Sequence, residues 1–234
     1  ENVRRVELET EQRKLYLAAV VDAREKLRAA KPEDKMTVFA VLMRLREICC
    51  DPRLVADNWT GSSAKLDACL ELVTEAVAGG HRILLFSQFT SMLELLAKRL
   101  DEAGVSHFTL QGSTPKPVRA EQVRRFNQGE ADVFLISLRA GGTGLNLTAA
   151  DIVIHYDPWW NLAAQNQATD RAYRIGQRNP VQVYRLIAQD TIEEKIVELQ
   201  QAKQSLADTV TGGADGAILS MNPEQLLQLL GEEA

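Results

Sequence analysis

Hydrophobic residues recur along this chain with two different periods, and the change from one to the other divides it. Over 10–30, Leu15, Ala18, Ala19 and Leu27 fall among good helix formers until Pro32 stops the run. A second helical run over 36–50 sets Met36, Phe39, Ala40, Met43 and Ile48 at three-and-four spacing, and Asp51-Pro52 ends it. Here Arg44 and Arg46 read as solvated. The polar stretch DNWTGSS (57–63) follows as a hinge. Beyond it, helices alternate with short apolar runs. Helices are expected over 65–78, 91–103, 118–127 and 191–206, with Asp190 capping the last. Strands are expected over 82–86, 105–110, 133–136, 152–156 and 181–187. Gly79-Gly80, Gly104 and Gly129 stand where helices must stop.

Strands separated by helices imply α/β architecture: a parallel sheet covered by helices on both faces, in three layers. In such sheets ligands meet the loops at the carboxyl ends of the strands. The expected organisation is a helical lead-in over 1–60, the α/β domain over 61–190, and a tail over 191–234. That tail comprises a helix, a glycine-rich segment (211–222) read as mobile, and a short amphipathic helix (223–230) with Leu226, Leu227, Leu229 and Leu230 on its apolar side.

The 45% hydrophobic and 25% charged residues are ordinary for a globular chain. No run approaches the ~20 apolar residues of a membrane span, and the first residues are no signal peptide. The chain opens on Glu1 rather than Met, which reads as a piece of a longer protein. Cys49, Cys50 and Cys69 make neither a disulfide framework nor a zinc spacing; buried thiols in a reducing intracellular compartment, cytoplasmic (nucleoid-associated) or nuclear, are expected.

Charge changes the picture more. Between Pro158 and Gln189 there are four arginines (Arg171, Arg174, Arg178, Arg185) and one acid, Asp170, a net +3 on a chain of net charge −5. A local basic patch on an acidic protein signals an anion site. Within it, Asn166, Gln167, Asp170, Arg171 and Arg174 recur on one helical face, and Ala164, Ala168 and Ala172 recur every four residues on another. The alanine stripe suits close packing on a sheet. The polar face then sends Gln167, Arg171 and Arg174 one way. Guanidinium groups bind phosphate bidentately, stay charged, and serve as arginine fingers in phosphoryl transfer. The plainer alternative, an Asp170–Arg174 surface pair, is worth only about 0.3–0.5 kcal/mol.

The stretch SLRAGGTGLNL (137–147), then DPWWN (157–161), then QATDRAYRIGQ (167–177) resembles motifs V and VI of superfamily-two helicases, in the form used by Swi/Snf-type DNA translocases. Tyr173 stands where that family commonly has His, and Leu162 where it commonly has Pro. The resemblance extends over almost the whole chain and implies the C-terminal RecA-like motor lobe. It implies catalytic roles for Arg171 and Arg174, and nucleotide contacts from Gly142, Gly144 and Gln167. It also implies a grip on DNA. Ser87 and Gln88 (in FSQF, motif IV), Gly112, Ser113 and Thr114 with Lys116 and Arg119, Ser137 and Asn146 in motif V, and Trp159 and Trp160 are the expected contacts. Taken alone, Ser87 reads as a phosphate seat at a helix start or as a simple cap, and either tryptophan reads as core.

The glycines of 141–144 are neither a dinucleotide fingerprint, because Leu147 fills the third glycine's slot, nor a Walker A loop, because no G-K-[ST] follows. The sequence contains no G-K-[ST] and no D-E-x-H, so ATP and Mg²⁺ are expected mainly on a preceding first lobe. This chain alone is therefore expected to be inactive and to hold no metal. The partners implied are that first lobe, double-stranded DNA, and a nucleoprotein or polymerase target; no membrane is involved. The alternative reading is a non-catalytic nucleic-acid-binding or regulatory module of the same shape.

Overall fold

The structure is a computed structural model and describes residues 1–138, 145–160, 162–170, 180–207 and 221–231. The glycine-rich segment expected to be mobile lies almost wholly outside the described residues.

Six strands form one sheet: β1 (Asn2–Val6), β2 (Ile83–Ser87), β3 (His107–Leu110), β4 (Val133–Ser137), β5 (Ile152–His155) and β6 (Gln182–Ala188), in the order β1-β6-β5-β2-β4-β3. The pairings β2–β4, β2–β5, β3–β4 and β5–β6 are all parallel. Every residue of β2 and β4 is buried, which is why these strands read as unbroken apolar runs rather than as an alternation. The helices are α1 (Thr10–Ala29), α2 (Lys35–Cys50), α3 (Ala64–Ala78), α4 (Thr90–Glu102), α5 (Lys116–Asn127), α6 (Leu162–Thr169), α7 (Ile192–Ala207) and α8 (Pro223–Leu229). The three-layer α/β expectation is met.

The chain divides into two compact units. The first (1–5, 66–159 and 163–187) contains most of the sheet. On one face of it Leu84 and Phe86 of β2, Phe134 and Ile136 of β4 and Val153 of β5 pack with Phe126 of α5 and Ala168 of α6. Helix α5 ends at Gly129, whose φ of +87° a β-carbon would strain, and a β-carbon there would also strike the Arg82 guanidinium.

The second unit (6–65, 160–162 and 188–234) is helical. Its core joins Tyr16, Ala23 and Leu27 of α1, Leu42, Leu45 and Ile48 of α2, Ile192 and Ile196 of α7, and Leu226 of α8. The N-terminal lead-in and the C-terminal tail thus share one core, and α8 finds its dock there. Gln12 is fully buried and joins the parts through two main-chain bonds: its Nε2 donates to Ile48 O (2.9 Å) and its Oε1 accepts from Ala64 N (3.3 Å). The same unit holds an ion pair at zero exposure, Lys65 Nζ to both oxygens of Glu193 (2.6 and 2.7 Å), with Ala188 N–H donating to the same carboxylate at 2.8 Å. Burial pushes the Cys49 thiol and the Tyr16 phenol far up, so neither is a reactive group.

Three expectations need correction. Helix α2 buries Val38, Val41, Leu42, Leu45 and Ile48, whereas Met36 and Phe39 are exposed. Arg46 is not solvated: it is fully buried, with its guanidinium 4.2 Å from the centre of the Trp160 ring. Asp190 does not cap α7; it takes a positive φ of 55°, and the Thr191 hydroxyl accepts the Glu193 N–H instead (3.2 Å).

Candidate functional site

The parallel register aligns residues in rows across the sheet. Ser87 of β2 stands beside Ser137 of β4 at the carboxyl rim. One residue earlier, Leu110, Ile136, Phe86, His155 and Arg185 form a row running from β3 to β6. The row begins apolar and ends in an imidazole and a guanidinium, where α6 meets the sheet.

The rim is held by a residue not singled out from the sequence. Asp157, 1% exposed, accepts the Ser87 hydroxyl proton at 2.6 Å and the Gln88 N–H at 3.2 and 3.3 Å. The Ser87 oxygen in turn accepts from Phe89 N–H at 3.2 Å. The expected phosphate seat is therefore filled by the protein's own carboxylate. Ser87 and Ser137 are 0% and 2% exposed, so neither side chain offers a surface contact to DNA. The signal available in the sequence was an aspartate placed directly before proline at the end of an apolar strand.

Of the three stripe alanines, Ala168 is described and is buried against the sheet, while Asn166 and Gln167 are exposed; the side chain of Ala164, and Ala172, lie outside the described residues. Gln165 is buried and its Oε1 accepts the Trp159 N–H at 3.1 Å, which ties the helix to the corner that precedes it. At the far end of the helix, Thr169 Oγ1 lies 2.8 Å from His155 Nε2 and 3.4 Å from the Gln165 carbonyl oxygen.

His155 is 1% exposed and stacks on Phe86 with ring centres 5.6 Å apart. Burial first, and the Arg185 charge second, press its pKa down to about 3, so the ring is neutral in ordinary buffer. The neutral ring meets the Thr169 hydroxyl through Nε2 in either tautomer, one group donating and the other accepting. Nδ1 is buried, with no hydrogen-bond partner among the described residues.

The two tryptophans part company. Trp159 packs on the sheet-face core, and Trp160 packs on the helical core under Arg46. Both remain partly exposed. Gly112 and Ser113 are exposed in the turn after β3, closed by Thr114, whose hydroxyl accepts the Gln111 N–H at 3.0 Å. Lys116 is exposed at the start of α5, and Arg119 reaches back to the Thr114 carbonyl oxygen at 3.5 Å. Asn146 is exposed, and its carbonyl oxygen accepts from Asn127 Nδ2 at 2.8 Å. Gly142, Gly144, Arg171, Arg174 and Arg178 lie outside the described residues. Of the four arginines in the basic patch, Arg185 is described: it is ion-paired with Glu1, so its charge is partly offset. Among the described residues no cluster of His, Cys, Asp or Glu could hold a metal, and no helix is long and apolar enough to cross a membrane.

Comparison with known proteins agrees with this architecture. The helicase conserved C-terminal domain family matches residues 64–176. The putative ATP-dependent helicase/translocase YwqA of Bacillus subtilis is 38% identical over 231 residues, which is 96% of this chain and 25% of that protein. The Sulfolobus solfataricus SWI2/SNF2 ATPase C-terminal domain superposes with a TM-score of 0.81 at 27% identity, covering 100% of this chain and 98% of that one. The ATPase core of the same Sulfolobus protein in complex with dsDNA gives a TM-score of 0.81 at 28% identity, with 100% of this chain matching 50% of that one. This chain spans a quarter or less of the length of the curated relatives it matches. The chain belongs to the Swi/Snf family of ATP-dependent helicases, as its C-terminal RecA-like lobe.

Proposed function

We propose that this lobe is the second half of an ATP-driven motor on double-stranded DNA. Arg171 and Arg174 reach the γ-phosphate of an ATP held, with Mg²⁺, by a first lobe outside this chain. ATP draws the two lobes together and hydrolysis releases them. Meanwhile the lobe holds one DNA strand by its phosphates through the Gly112–Thr114 turn, Lys116, Arg119 and Asn146, with Gln88 and the Trp159–Trp160 corner alongside. Alternate gripping by two lobes carries the motor along the duplex, against a nucleoprotein or polymerase bound there. Contacts of this kind are independent of sequence and weaken steeply with salt.

One observation carries the reading. Helix α6 sits on the sheet by Ala168 with Gln167 exposed, and Arg171 and Arg174 follow Gln167 at helical spacing in the sequence. The Sulfolobus core bound to dsDNA supports the choice of duplex DNA as partner.

Turnover by the purified chain tests the division of labour. With saturating ATP, Mg²⁺ and duplex DNA, the chain alone is expected to hydrolyse no more ATP than its Arg174→Ala variant, whereas the whole protein turns over with DNA stimulation. Turnover by the chain above that blank would show that it holds a complete site.

A further inference from the structure

His155 is a buried polar residue that none of the proposed contacts uses. His155 closes β5, stacks on Phe86 and takes part in no exposed surface. A leucine would fill this strand end as an apolar side chain of similar size. The contribution that a leucine could not make is the bond from Nε2 to Thr169 Oγ1, 2.8 Å long.

That bond joins two elements that reach the site separately. Thr169 is the last residue of α6, two residues after Gln167 and two before Arg171. The same helix is tied at Gln165, whose side chain holds the Trp159 N–H. Its underside is set by Ala168. A helix held at Gln165 and along one side can still roll and fray beyond Ala168. The imidazole of His155, stacked on Phe86, pins that end. A neutral imidazole suits the task, because a hydroxyl can either donate to its Nε2 or accept from it.

We infer that His155, through Thr169, is a positioning residue for nucleotide hydrolysis. It locks the end of α6 so that the face bearing Gln167 is presented at a fixed angle to ATP. This inference rests on the reading under Proposed function. Misplacing a catalytic group by about 1 Å can cost on the order of a hundredfold in rate.

The test uses the whole protein. Thr169→Val removes the hydroxyl at constant shape, Thr169→Ser keeps it, and His155→Gln restores a donor near the Nε2 position where His155→Leu does not. Thr169→Val and His155→Leu should each lower kcat for DNA-stimulated ATP hydrolysis about tenfold or more, with KM for ATP and affinity for DNA changed less than twofold. Thr169→Ser and His155→Gln should recover most of the rate. The double variant Thr169→Val/His155→Leu should be no slower than the worse single, because both remove one bond. Wild-type kcat in Thr169→Val, or a rise in KM matching the fall in kcat, overturns the inference. Should His155→Leu fail to fold, Thr169→Val and Thr169→Ser alone decide. Arg174→Ala, run beside them, separates the two claims. If it is inactive while Thr169→Val is normal, only the positioning role fails. If it is as active as wild type, the proposed function fails and the positioning role with it.

Discussion

Arg174→Ala in the full-length protein should reduce ATP hydrolysis by about 10³-fold or more, the scale on which arginine fingers act in phosphoryl transfer, with ATP affinity changed only a few-fold. The asymmetry follows from where the charge develops. In the proposed motor the ground-state triphosphate is held by a first lobe outside this chain, so a guanidinium from this lobe should add little to binding. As the bond to the γ-phosphoryl breaks, charge spreads over its equatorial oxygens, and a fixed fork of N–H donors there stabilises the transition state alone. Arg174→Lys should recover little, because an ammonium group cannot supply the planar bidentate pair. Single-turnover hydrolysis and equilibrium ATP binding, measured on the same preparations, separate the two effects. A matching loss of both would assign Arg174 a structural role.

The largest stability effect is expected far from that helix, at Lys65 and Glu193. Both side chains are at zero exposure, and the carboxylate takes both the ammonium and the Ala188 N–H. Lys65→Met removes one charge and strands the other in the core, a change that costs about 3–5 kcal/mol. For a chain of this size that corresponds to a fall in Tm on the order of 10 °C. Adding Glu193→Gln should return much of the loss, since the amide oxygen still accepts from Ala188 and no charge is buried. Urea unfolding of the two single variants and the double gives the coupling directly. A loss below about 1 kcal/mol for Lys65→Met would mean that water reaches the pair, contrary to its burial.

What could be seen in the sequence was whatever depended on near neighbours. The runs RILLF and VFLIS are apolar at every position because β2 and β4 are covered on both faces, and such runs announce themselves. The phase of α6 was equally legible, because alanines at four-residue spacing leave one arrangement. The edge strand β1, NVRRV, was missed because it exposes most of its length and carries two arginines. The buried face of α2 was misjudged for the opposite reason. Nearly every position from Met36 to Leu45 is apolar, so several faces satisfy the spacing, and packing with α1 and α7 makes the choice.

Long-range partners were out of reach of local reading. Ser87 looked like a phosphate seat because nothing beside it hints that Asp157, seventy residues on, fills the place. Arg46 looked solvated because its cover, Trp160, is more than a hundred residues away. The paired tryptophans looked like one device; they pack in different cores. The family itself was legible from the motifs, because SLRAGGTGLNL, DPWWN and QATDRAYRIGQ in that order are long and specific matches that need no knowledge of distant partners.

The claim on which the account turns is that guanidinium groups of this lobe meet a triphosphate carried by another and act only as it breaks. Measuring the affinity of the full-length protein for ADP with and without aluminium fluoride, in wild type and in Arg174→Ala, tests it most directly. The account predicts that the variant binds ADP as wild type does but loses about 10²-fold or more of the added affinity for the transition-state mimic. An undiminished gain from aluminium fluoride in Arg174→Ala would contradict it.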